Sequence, residues 1–137
     1  MANAHSAVMA DKILSWIKGT TFTAAPANLW VGLFSTAPTT NASNGTEVSG
    51  SSYARVQIAS SGWSAISQNA DTIHDQISNS AALTFPVVTT SSYTVVAIGV
   101  WDASTAGNNL WWQTVTSQAV SVGNQYQVAA AALIIEE

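Results

Sequence analysis

A chain of 137 residues, 47% hydrophobic and only 7% charged, has room for one domain with a single core and carries far less charge than the roughly 25% of an ordinary soluble domain. Three basic residues against seven acidic ones, net −4, exclude the clustered Lys/Arg footprint that phosphate recognition needs. The lack of cysteine excludes disulfides and thiolate metal sites.

Residues 3–18 are expected to form the one helix. Ala7, Ala10, Leu14 and Ile17 recur at spacings that trace one face of a 3.6-residue period, and Met9, Ile13 and Trp16 widen that stripe. Asn3 or Ser6 can cap its start, and Gly19 after Lys18 is a stop signal. The stripe either packs on the chain's own sheet or docks on a partner subunit.

Beyond Gly19 the period changes to two. Leu29, Val31 and Leu33 oppose Trp30 and Phe34, which describes a strand apolar on both faces. Residues 36–52 are mostly Thr, Asn, Ser and Gly, with Pro38, a long polar loop. A loop of that length inside a compact domain is usually functional or ordered by a neighbour. Tyr53 to Ser60 alternates again, with Ala54, Val56 and Ile58 expected inward and Arg55 and Gln57 outward. Trp63 to Asn79 shows no clear period. Ala82 to Val88 reads as a strand that Pro86 confines to an edge or a bulge. Tyr93 to Trp101, rich in Val, is the strongest strand. Leu110 to Thr116 and Gln125 to Ile135 complete the set. Six or seven strands, no βαβ rhythm and one leading helix describe a mainly β fold, a small antiparallel β-sandwich or jelly-roll-like barrel with an N-terminal helix, in one domain over residues 1–137.

The longest apolar run, Val128 to Ile135, falls far short of the ~18–20 residues of a spanning helix, so no membrane is expected. Met1 to His5 carries no basic stretch, and Asp11, Lys12 and Lys18 interrupt any apolar core, so no secretory signal is expected either.

Chemistry-bearing groups are few. Asp71, His74 and Asp75 form the only titratable cluster. A stable metal site needs three or more ligands in a defined geometry, and no further donor stands at recognisable spacing, so a solvated loop without metal or cofactor is expected. There is no Gly-x-Ser-x-Gly elbow and no phosphate-cradling loop. No enzyme is expected. Six tryptophans, Trp16, Trp30, Trp63, Trp101, Trp111 and Trp112, suit a core, a subunit interface or stacking on a sugar ring. Adjacent Trp111 and Trp112 must point to opposite faces of one strand. One of them then needs a helix, a loop or a partner to cover it.

In order along the chain stand Leu29-Trp-Val-Gly-Leu-Phe34, Gly45-Thr-Glu-Val-Ser-Gly50, Tyr53-Ala-Arg55 and Thr84-Phe-Pro86. Gly99-Val-Trp-Asp-Ala103 and Gly107-Asn-Asn-Leu110 follow. Together they resemble a family of short tailed-phage virion proteins, whose members are commonly labelled tail-fibre or minor structural proteins. Small β-domains of this kind also look like capsid decoration proteins that bind as trimers. The resemblance implies a virion structural protein, and the expected role is a capsid cement protein bridging major capsid subunits as a homotrimer, assembled in the host cytoplasm. A tail or tail-fibre component is the alternative of the same class. A glycan-binding β-module for host attachment is the alternative of another class. Candidate contacts with the major capsid protein or neighbouring virion subunits are Ala10, Leu14 and Ile17 on the helix, Thr40, Asn41 and Asn44 in the loop, and Trp111 and Trp112.

Overall fold

A computed structural model describes residues 3–22, 24–39, 44–70 and 74–136, without the side chains of residues 3 and 4. In chain order the elements are β1 (Asn3–His5), α1 (Ala7–Ile17), β2 (Asn28–Thr36), β3 (Thr46–Glu47), β4 (Val56–Ala59), β5 (Ser67–Gln68) and β6 (Asp75–Ser78). Then come β7 (Leu83–Thr84), β8 (Tyr93–Trp101), β9 (Asn109–Val120), β10 (Gln127–Val128) and β11 (Ile134–Glu136). The fold is mainly β and every pairing is antiparallel. A six-stranded sheet runs β1-β9-β8-β2-β3, with β4 also on β2. Two small sheets, β10-β7 and β11-β6-β5, stand beside it. No closed barrel forms among the described residues.

Alternation along β2, β8 and β9 gives the large sheet two apolar faces. On one, Val31, Leu33, Ile98, Val100 and Trp111 meet Leu83, Phe85, Tyr126, Val128 and Leu133 from the segments of the small sheets. This is the sandwich-like core. Burying each such side chain contributes about 1.5–3 kcal/mol. On the other face Phe34, Ala97, Trp101 and Trp112 form a second, aromatic cluster with Trp30 against it. Strand β2 is therefore apolar on both sides because both sides are covered. A bulge between Val100 and Trp101 skips Leu110 and sets Asn109 opposite Trp101, turning Asn109 toward the aromatic face.

The helix differs from the expected one at its start. Residues 3–5 are extended, not helical, because they pair with β9 in the register Asn3↔Gln113 to His5↔Trp111. That pairing supplies hydrogen-bond partners to an otherwise open strand edge. Ser6 is the cap, its Oγ accepting from the Met9 amide at 3.3 Å. At the other end Gly19 takes φ +86°. Its amide donates to the Trp16 carbonyl and the Thr20 amide to the Ser15 carbonyl, a Schellman stop.

Two other expectations change. The segment 36–52 contains β3, paired on β2, with Val48 and Pro38 buried, so it is partly woven into the sheet. The last strand is broken between β10 and β11. Buried Asn79 explains the break: its Nδ2 donates to the Ala81 and Ala129 carbonyls, and its Oδ1 accepts from the Leu133 amide at 2.9 Å. Those bonds turn the chain through Ala131, at φ +60°.

Candidate functional site

The sequence places Arg55 outward, as period two demands. Instead its side chain is only 6% exposed. Arg55 precedes β4, and its guanidinium turns back under the large sheet's aromatic face. Nε and NH2 donate to Glu47 Oε1 and Oε2, both at 2.7 Å. NH1 donates to the carbonyls of Ala103 and Ala106. The guanidinium carbon lies 4.2 Å from the centroid of the Trp101 ring, within cation–π range. Bidentate pairing with two backbone acceptors suits the planar fork of Arg and no other side chain.

Tyr53 ties this centre to the core. Its hydroxyl donates to Glu47 Oε1 at 2.8 Å and accepts from the Leu33 amide at 2.9 Å. Its ring stacks on Phe85 with centroids 6.3 Å apart. Burial, with the Glu47 carboxylate adding to it against the Leu33 amide, pushes the phenol far above the usual tyrosine range. A Cβ at residue 32 would lie 2.7 Å from both the Trp101 ring and the Tyr53 hydroxyl, so Gly32 makes room for the cluster.

The 102–108 turn that receives Arg55 is itself fixed. Asp102 Oδ1 accepts from the Asn108 amide and Oδ2 from the Asn108 side chain, at 2.7 and 2.8 Å. Burial raises the Asp102 carboxyl, but these bonds, with the charge of Lys12, outweigh it and hold the group below the usual carboxylate range. Gly107 sits at φ +68°, and a Cβ there would stand 2.5 Å from Asp102 Oδ1.

Between β3 and β4, Gly50, Ser51 and Ser52 all take positive φ, a conformation that costs non-glycine residues about 1–2 kcal/mol each. Hydroxyl contacts hold it. Ser51 Oγ donates to the Ser91 carbonyl at 2.7 Å, and Ser52 Oγ lies 2.8 Å from Thr89 Oγ1. A cleft of ≈ 270 Å³ between Glu47, Tyr53, Arg55 and Thr105 opens beside the cluster. Its charged groups already satisfy one another, so the geometry is that of a lock joining the 45–55 and 102–108 segments.

The residues singled out as contacts do not come together. Ala10 is half-buried in α1, which packs against β9. Leu14 and Ile17 are 59% and 68% exposed. The covered side of the helix is instead that of Val8, Met9, Lys12 and Ile13. Asn44 is exposed and closes its loop, its Oδ1 accepting from the Thr39 amide. Thr40 and Asn41 lie outside the described residues, as does Asp71, while His74 and Asp75 are exposed. Trp111 and Trp112 do point to opposite faces, but each is buried in the chain's own clusters. Their burial therefore needs no partner. The residues that sequence reasoning missed are Glu47 and Asn79. Glu47 had a signal: among so few charges, one carboxylate and one guanidinium eight residues apart flank a tyrosine.

The pieces that carry the family resemblance are those that build the lock: Glu47, Tyr53 and Arg55, Phe85, Trp101 with Asp102 and Ala103, and Gly107 with Asn108. A family model described as Podophage GP4 fiber I protein gp80 matches residues 4–136. The chain belongs to this family, a family of tailed-phage virion proteins. No curated protein matches the chain.

Proposed function

We propose that this member of a phage fibre family is a subunit of a tail fibre, working by contact with neighbouring virion subunits rather than by catalysis. The family match over residues 4–136 carries the reading. The structure supports it in physical terms. The Arg55 lock pins two long segments to one sheet and leaves its charges mutually satisfied, as a load-carrying part requires and a catalytic centre does not. In this reading the copies associate as a homo-oligomer, a trimer, and assemble in the host cytoplasm. Each contact that forms only in the assembled particle shifts the equilibrium against disassembly, as any ligand selective for one state does.

The capsid clamp is the second reading, favoured by the 7% charge content, which fits a surface covered by neighbours. Quantitative mass spectrometry of purified particles separates the two. A tail fibre predicts few copies relative to the major capsid protein. A near-stoichiometric ratio contradicts it and favours the clamp.

A further inference from the structure

Among the described residues, the exposed large apolar side chains other than Val87 and Val122 fall in two places. Leu14, Trp16 and Ile17 on the C-terminal half of α1, with Phe22 just beyond it, are all exposed. Far along the chain Ile66 is 74% exposed. It edges an almost wholly apolar groove of ≈ 170 Å³ lined also by Asp75, Gln76, Ile77 and Ile135. Small-molecule sites run to roughly 300–1,000 Å³, so this groove is sized for one or two aliphatic side chains. Apolar surface of this sort marks contact sites.

We propose that the α1 end of one copy, Ile17 with Lys18, docks in the Ile66–Ile77–Ile135 groove of a second copy. The inference rests on the homo-oligomeric part of the reading above, not on where the protein sits in the particle. The two surfaces are complementary in charge. Lys18 is exposed directly after Ile17, and Asp75 is exposed at the groove. The other two basic residues face inward partners: Arg55 holds Glu47, and Lys12 acts on Asp102. A helix-to-helix contact would leave the groove uncovered, whereas helix to groove covers both apolar surfaces and brings Lys18 to Asp75.

Topology makes the contact head-to-tail. The helix packs against β9, next to the β1 edge, while β5 and β6 follow β4, which pairs on β2 beyond β8. One copy can therefore give its helix end and receive another's at once. Such heterologous contacts close into a ring when the rotation allows it and otherwise extend as a filament. A trimer is the smallest ring.

The chain has no cysteine, so single replacements report cleanly. Ile17→Cys and Ile66→Cys, carried on chains of different tag length and mixed under mild oxidation, should give mainly the mixed disulfide. A product dominated by 17–17 disulfide, a statistical mixture of all three dimers, or no crosslink overturns the proposal. In parallel, Lys18→Glu and Asp75→Lys alone should each weaken self-association about tenfold, since each turns an attraction into a repulsion, and the double variant should restore it. Sedimentation reads the association, and thermal melts confirm that these exposed substitutions leave the fold intact. A wild-type chain that stays monomeric at all concentrations, or a double variant without recovery, also overturns it. Copy number in particles would then still decide tail against capsid.

Discussion

Removing one member of the Glu47–Arg55 pair should cost more than removing both in proportion. A buried pair broken on one side costs about 3–5 kcal/mol, because the surviving charge is left without compensation. Glu47 retains 28% side-chain exposure against 6% for Arg55. Arg55→Met therefore leaves a carboxylate that water can partly reach, together with two carbonyls that lose a donor. It belongs at the low end, about 3 kcal/mol. Glu47→Gln leaves a guanidinium almost wholly enclosed over Trp101 and belongs at the high end, about 4–5 kcal/mol. The double variant strands neither charge, so its loss should fall at least about 2 kcal/mol below the sum of the singles. Urea titrations followed by tryptophan fluorescence measure all four corners of the cycle. Additivity within about 0.5 kcal/mol, or a Glu47→Gln loss smaller than that of Arg55→Met, refutes the lock.

Three further outcomes follow from the same geometry. Asn79→Ala should destabilise by roughly 1–3 kcal/mol from the stranded Leu133 amide alone, and hydrogen exchange should show the β10–β11 turn loosened. An unchanged urea midpoint would contradict that. Leu14→Ala should change intrinsic stability by less than about 0.5 kcal/mol, as exposed positions do, and not by the 2–5 kcal/mol of a buried leucine. A thermal melt decides. Asp102 has its carboxyl held below the ordinary range in the folded state, so it binds fewer protons folded than unfolded. Its contribution is complete above the ordinary aspartate value of about 3.9 and is lost as pH falls through the folded one. Asp102→Asn should flatten the acid limb of stability against pH, and parallel curves for the two proteins would sink the assignment.

Where one physical signal dominated, the fold was legible. Strand β8 runs from Tyr93 to Trp101 as its Val-rich run implies, and Gly19 stops the helix because the left-handed turn there suits glycine. Local periodicity failed where a distant partner decided the outcome. Residues 3–5 look helical on their own but complete the edge of β9. Gln125 to Ile135 looks like one strand until Asn79 bends it from fifty residues away. Arg55 follows an outward phase, yet Glu47 and Trp101 draw it in. Leu14 and Ile17, on the apolar stripe of the helix, face outward. Trp111 and Trp112 share their prominence in the sequence but are covered by the chain itself. A two-sided sheet buries both phases of β9, and nothing local to the tryptophan pair announces that.

Gold-labelled antibody against this chain, imaged on intact particles, tests a place in the tail fibre most directly. Label confined to fibres at the tail is the expected result. Label spread over the head surface would contradict it.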